Sequence, residues 1–344
     1  MPTTYPRDAG YRMPAEWEPH ESTWISWPHN RETWPSELDV VERIVARAVA
    51  ILSRSEPVRI NVGSLDQRRR ATRALDEAGA FGDVRFHDIP TNDAWVRDYG
   101  PLFVVSRERG LAATCWGFNS WGGKYPPFDL DDAASGIMAA ALGVPCFETD
   151  MVLEGGSIDL NGRGVLMTTE SCLLNPNRNP GLDRAEIEGR LSAFLGIDQV
   201  IWLGEGIVGD DTDGHIDDLA RFVAPRTVVA AVEAGPGARN SETLRENLEA
   251  IRTTETADGW LEIVELPMPA PVVVRGEVMP ATYANFYIGN RTVLVPVYGD
   301  RNDYTAIATL RRCFPTRDVV GIDCRDLIWG LGALHCLTQQ VPWG

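Results

Sequence analysis

Asp213-Gly214-His215 opens onto Ile216-Asp217-Asp218-Leu219-Ala220-Arg221-Phe222-Val223, and an apolar return follows, Thr227-Val228-Val229-Ala230-Ala231-Val232. A polar entry, an apolar strand, a turn and a second apolar strand make a hairpin. The pattern recurs. Arg97-Asp98-Tyr99-Gly100 leads into P-L-F-V-V and L-A-A-T-C-W, and Glu154-Gly155-Gly156 into S-I-D-L-N-G-R-G-V-L-M-T-T. Tyr283-Ala284-Asn285 leads into F-Y-I-G-N-R-T-V-L-V-P-V, and Gly332-Ala333-Leu334-His335-Cys336 into L-T-Q-Q. One polar residue from each entry (Asp98, Glu154, His215, Asn285 and Cys336) follows the previous one by about 50 to 70 residues, room for a helix and a further strand. Near-regular units predict an α/β array around an axis, which would bring the five polar entries to one place.

The segments between the hairpins fit that plan. Apolar periodicity predicts helices at about 37–54, 64–79, 130–142, 184–195, 241–255 and 303–313. Ser64 and Asp183 are in capping positions, and Gly143 and Gly196 in stopping positions. Strand-like runs cover Val58–Val62, Val84–Ile89, Gln199–Leu203, Leu261–Leu266 and Asp318–Ile322. No low-complexity linker divides the chain, so residues 1–344 read as one domain.

Bulk composition narrows the function. The 344 residues are 44% apolar and 24% charged, ordinary for a soluble globular protein. The start, M-P-T-T-Y-P-R-D-A-G, has no apolar signal region, and no apolar run reaches spanning length, so the reading is cytoplasmic and off the membrane. Six cysteines (115, 146, 172, 313, 324, 336) lie scattered without C-x-x-C pairs, which predicts reduced thiols. The formal charge is −17, from 49 acidic and 32 basic residues. That charge repels nucleic acid and permits a cationic substrate, while explaining solubility equally well.

The polar entries carry the chemistry. Cys336 follows the flexible Gly330-Leu331-Gly332-Ala333 and is the candidate nucleophile. Trp95 and Asp98, in N-D-A-W-V-R-D-Y-G-P, suit a planar cation, gripped at its edge by carboxylate and covered by an aromatic face. Taken alone, Arg97 and Asp98 also read as a surface ion pair. In Gly209–Asp218, a strand with Ile216 facing inward would set His215 beside Asp217, an imidazole and a carboxylate fit for proton transfer and cation binding. The same run also reads as a solvated acidic loop or a metal site, though it lacks the spacing of an EF-hand loop.

Together W-V-R-D-Y-G-P, E-G-G-S-I-D, T-D-G-H-I-D and the terminal H-C-L-T-Q-Q resemble the agmatine deiminase family of the guanidine-modifying (pentein) superfamily. So do M-P-A-E-W-E-P-H-E-S-T-W-I-S-W-P, G-F-N-S-W-G-G-K-Y-P-P-F-D-L-D-D and L-L-N-P-N-R-N-P. The resemblance runs from about residue 11 to 342. It implies a five-bladed α/β propeller of ββαβ units with pseudo-fivefold symmetry and an axial active site. It also implies Cys336 as nucleophile, His215 as general acid/base, Asp98 and Asp217 on the guanidinium, Glu154 beside the histidine, and Trp95 lining the pocket. The implied reaction needs no cofactor or metal, and its partner is a small cationic guanidino compound. Asp211 is the expected partner of a substrate ammonium, with Trp121 along the stem and Asn285 also at the substrate. Members usually read Gly-Gly-Gly-Asn-Ile-His-Cys where this chain has Gly-Leu-Gly-Ala-Leu-His-Cys, so arginine or peptidyl-arginine stays open beside agmatine. A non-catalytic binding protein of the same fold, a metal-dependent hydrolase and a homo-oligomeric assembly stay open as well.

Overall fold

The computed structural model describes residues 5–235 and 238–344; the first four residues of the N-terminal reading lie outside them. Helices form where local signals place them. In α1 (Leu38–Leu52), Val41, Val45, Ala48 and Leu52 turn one face to the core. At α2 (Leu65–Glu77) the Ser64 hydroxyl accepts from the Gln67 N–H. Asp183 and Glu186 close a reciprocal capping box on the helix Arg184–Leu195, which Gly196 ends in the left-handed region. The helix expected over 241–255 stops at Arg252, because Glu255–Thr256 turns out to pair with Gly259–Trp260.

The sheets repeat one plan: an antiparallel hairpin, a helical crossing, then a third strand parallel to the second. Leu102–Ser106 and Gly110–Gly117 pair antiparallel, and Cys146–Val152 joins in parallel. The same holds for Asp159–Leu160, Val165–Thr169 and Gln199–Leu203, and for Ala220–Ala224, Thr227–Val232 and Glu262–Pro267. Tyr287–Ile288, Thr292–Val297 and Asp318–Asp323 make the fourth such sheet. The fifth is closed by the two ends of the chain. Thr338–Pro342 pairs antiparallel with His20–Ser26, which runs parallel to Val58–Val62, and that strand runs parallel to Val84–Asp88. The return strand of the last hairpin therefore comes from the N-terminal side, and β-sheet pairing across the whole chain seats Cys336.

Two expectations are corrected. Ile216–Asp218 forms a 3₁₀ turn, and the strand begins only at Ala220. Cys115 and Cys146 are joined as a disulfide, with Cα atoms 6.3 Å apart, where six free thiols were expected. Strand pairing explains the approach, since Gly110–Gly117 and Cys146–Val152 are hydrogen-bonded neighbours. The other four cysteines are free. Among the described residues no helix is long and apolar enough to cross a membrane.

Candidate active site

Three of the five polar entries meet around Gly156, and the other two reach the group through Asp217. A Cβ at this glycine would lie 2.6 Å from His215 Nδ1, 2.7 Å from Asp98 Oδ1 and 3.2 Å from Asp217 Oδ2. Its own N–H donates to Asp98 Oδ1 at 2.9 Å. Only a residue without a side chain lets an imidazole and two carboxylates come this close. Gly156→Ala is therefore expected to lower kcat/KM by about 100-fold or more while the thermal midpoint moves little, because misplacing catalytic groups by an ångström costs that much. Steady-state kinetics with a melting curve checks this, and a fully active variant would contradict it.

Cys336 sits against the same group. Asn285 Nδ2 donates to its sulfur at 3.1 Å, and Asp217 Oδ2 lies 3.6 Å from it. Asn285 Oδ1 accepts from the His335 N–H at 3.1 Å, so this one amide fixes both the backbone and the thiol. Burial, then the charges of Asp217, Asp218 and Asp98, push the Cys336 thiol well above the ordinary cysteine range. Asp98 is also raised, first by burial. Burial opposes ionisation of Asp217 too, but His335 Nδ1, 2.7 Å from its Oδ2, holds that carboxyl below the usual aspartate range.

His335 escaped the sequence reading, which singled out His215 alone. Its Nε2 faces Glu16 Oε2 at 2.8 Å, so both ring nitrogens face carboxylates. Burial raises Glu16, yet Arg221, His335 and Arg97 hold it well below its usual range. A buried chain thus runs from Arg221 through Glu16 and His335 to Asp217 and the sulfur. Arg97 belongs to it: the guanidinium is buried and donates to Gln340 Oε1 at 2.8 Å, instead of forming a surface pair with Asp98.

Glu154 is fully buried, with Oε1 accepting from Arg178 Nε at 2.6 Å and Oε2 left without a partner. Both nitrogens of His215 are likewise unpartnered, and Nδ1 stands 3.7 Å from Asp98 Oδ1. Ligand-type atoms of Glu154, Cys172 and His215 lie within 4.8 Å of one another and could hold a metal ion, so of the Gly209–Asp218 run only His215 belongs to such a group among the described residues. Asp210 instead organises that run. Its carboxylate accepts from the N–H groups of Thr212, Gly214 and His215.

Cys336, Asp98 and Trp95 open on a cleft of about 940 Å³, shared with Trp121, Lys124, Tyr125, Asp211 and Trp329. Trp121 Nε1 donates to Asp98 Oδ2 at 3.0 Å. Trp95 packs on Gly330 and Gly332, where a Cβ would come within 2.8 and 2.6 Å of the indole. Those two glycines are thus accounted for, whereas Leu331 between them holds φ at +67°, a conformation that disfavours a side chain. Asp211 lines the cleft but already has company: Lys124 Nζ lies 3.4 Å from its Oδ1, and the Tyr125 hydroxyl donates to Oδ2. Asn285 is buried on the thiol and is not part of the cleft wall.

The mixed α/β fold is one that distant proteins share. An amidinotransferase of saxitoxin biosynthesis from Microseira wollei superimposes with a TM-score of 0.56 at 11% identity, covering 96% of this chain and 97% of that one. The chain belongs to the agmatine deiminase family: residues 12–342 match the family described as Porphyromonas-type peptidyl-arginine deiminase. The agmatine deiminase of Pseudomonas aeruginosa (strain LESB58) is 37% identical over 365 residues, covering 99% of this chain and 98% of that one. The agmatine deiminase of Enterococcus faecalis, solved while catalysing its reaction, superimposes with a TM-score of 0.93 at 32% identity, covering 100% and 99%. A substrate-bound cysteine-to-serine variant of the C. jejuni agmatine deiminase gives 0.87 at 31% identity, covering 96% of each chain.

Proposed function

We propose that this protein hydrolyses agmatine to N-carbamoylputrescine and ammonia through a covalent intermediate on Cys336. The observation that carries the reading is the convergence of Cys336, His215, Asp98 and Asp217 beside one acid-lined cleft. Asp98 and Asp217 grip the guanidinium N–H groups and turn its carbon toward sulfur. The thiol is held neutral in the free protein; the arriving cation offsets the carboxylates that raise it, and Asn285 Nδ2 supports the thiolate. The thiol passes its proton to His215 as sulfur adds to the guanidinium carbon, and ammonia leaves with that proton. Water then adds to the thiouronium carbon, His215 takes its proton, the C–S bond breaks, and the ureido product departs. Glu154, held by Arg178, orients His215. In this reading the five sheets are the blades of a propeller within one domain, and the site lies on its axis.

The far end of the cleft favours agmatine over arginine. Its lining carries Glu32, Asp93, Asp98, Asp131 and Asp211 against Arg31 and Lys124. Burial and Asp93 lift Asp131 to about 8, and burial raises Asp93 and Asp98 as well. Arg178 is not free to receive an α-carboxylate, since Glu154, Asn177, Asp213 and the Thr212 carbonyl take its N–H groups. A second ammonium meets compensating charge there, and a carboxylate meets repulsion. Mass spectrometry of products from agmatine, arginine and an arginyl peptide, with kcat/KM for each, tests this. Agmatine is expected to lead by about tenfold or more, the scale of one charged contact. A preference for arginine or the peptide would reverse the assignment.

A further inference from the structure

Away from the active site, a second cleft of about 770 Å³ lies between α1, α2 and the edge of the sheet that holds Arg291 and Asp318. Four arginines, Arg43, Arg47, Arg54 and Arg291, line it, against two carboxylates, Glu77 and Asp318. This is a cationic concavity on a chain of formal charge −17. Several surface arginines elsewhere are matched, Arg68 with Asp88, Arg70 with Asp66 and Arg190 with Asp150. Among the described residues none of the four lies in an ion pair. Arg43 and Arg47 stand four apart on α1, an arrangement that destabilises an isolated helix when the charges are alike and unmatched. Arg54, just past the end of α1, is braced over the Phe81 ring at 5.7 Å. The lining also includes the apolar Ala50, Ile51, Ala74 and Val320.

We infer that this cleft is a binding site for an organic phosphate ester carrying at least two phosphoryl groups, such as a nucleoside diphosphate. Planar guanidinium forks pair with phosphate oxygens two at a time, and four forks exceed what a single carboxylate can occupy. The volume suits an organic molecule rather than a bare ion, and the apolar lining gives its carbon framework a surface. Positive lining within an acidic molecule also selects anions by contrast, because the rest of the surface repels them. The cleft shares no lining residue with the active-site cleft, so binding here does not compete with the guanidino substrate directly.

Isothermal titration of the intact protein with adenosine 5′-diphosphate and with inorganic pyrophosphate tests the inference. One saturable site is expected, weakening as salt rises, with the nucleotide bound at least as tightly as pyrophosphate. Arg47→Glu and Arg54→Glu, both at exposed positions, are each expected to weaken binding by about tenfold or more, the scale of one charge-assisted contact. Deimination without added phosphate should be unchanged in both variants, which also reports that they fold. Absence of binding at millimolar concentrations, or unchanged affinity in the variants, would overturn the inference. Binding of pyrophosphate alone would remove its organic part. Sedimentation of wild type and Arg47→Glu completes the test: an oligomer that the substitution dissociates would make the cleft a subunit interface instead.

Discussion

Cys336→Ser is expected to fold normally and to lose turnover by about four orders of magnitude or more, the scale of losing a covalent nucleophile. The substituted hydroxyl would face Asp217 Oδ2 and Asn285, groups that position it without drawing off its proton strongly enough to make an alkoxide. Cys313→Ser and Cys324→Ser, remote from the cleft, should leave turnover largely intact. The electrostatics add a sharper test. Burial and the charges of Asp217, Asp218 and Asp98 raise the thiol, so in the free protein near pH 7 it is protonated, and thiolate appears only as pH climbs through the raised value. A neutral reagent such as iodoacetamide should therefore label Cys336 slowly at pH 7 and faster with each step of pH. A chloroacetamidine brings its own cation into the site, lowers the thiol and should label it far faster at the same pH. Equal rates for the two reagents at pH 7, or appreciable turnover by Cys336→Ser, would sink the covalent reading.

The parts of this molecule that were legible in its sequence are those set by neighbours in the chain. Ser64, Asp183, Gly143 and Gly196 bound their helices because a cap needs only the next three or four residues. The hairpins were legible for the same reason, as short apolar runs interrupted by turns. Ile216–Asp218 misled because strand alternation there competes with local polar contacts: Asp210 gathers the N–H groups before His215 and winds the entry into a 3₁₀ turn. His215 and Asp217 still meet, through Gly156 rather than through a shared strand face. Long-range partners left no local mark. His335 looks like an ordinary neighbour of the nucleophile until Glu16, 319 positions earlier, closes on its second nitrogen. Arg178 likewise gains meaning only beside Glu154. The glycines before Cys336 did carry a signal, since an indole packed on Gly330 and Gly332 leaves no room for a Cβ.

His215→Ala is expected to cut kcat by about 100- to 10,000-fold, the usual worth of a positioned acid/base, while the KM for agmatine changes far less. In the proposed mechanism the imidazole serves the reacting nitrogen and water, whereas Asp98 and Asp217, which the substitution leaves in place, grip the guanidinium. Asp98→Ala should do the opposite kind of damage, raising KM as well as lowering kcat, because it removes part of that grip. Two observations single out His215 for proton transfer. Both its nitrogens are unpartnered in a buried setting, so neither is committed to a structural bond. Glu154, whose Oε2 is also unpartnered, lies within 4.8 Å and can steady the ring as it gains and loses a proton. Loss of the base should also slow release of the intermediate, so acid quenching during turnover is expected to trap Cys336 carrying the added amidine mass. Small imidazoles added to the buffer should restore part of the rate by standing in the emptied space. A variant whose kcat is near normal, or whose defect is confined to KM, would take the acid/base role away from His215.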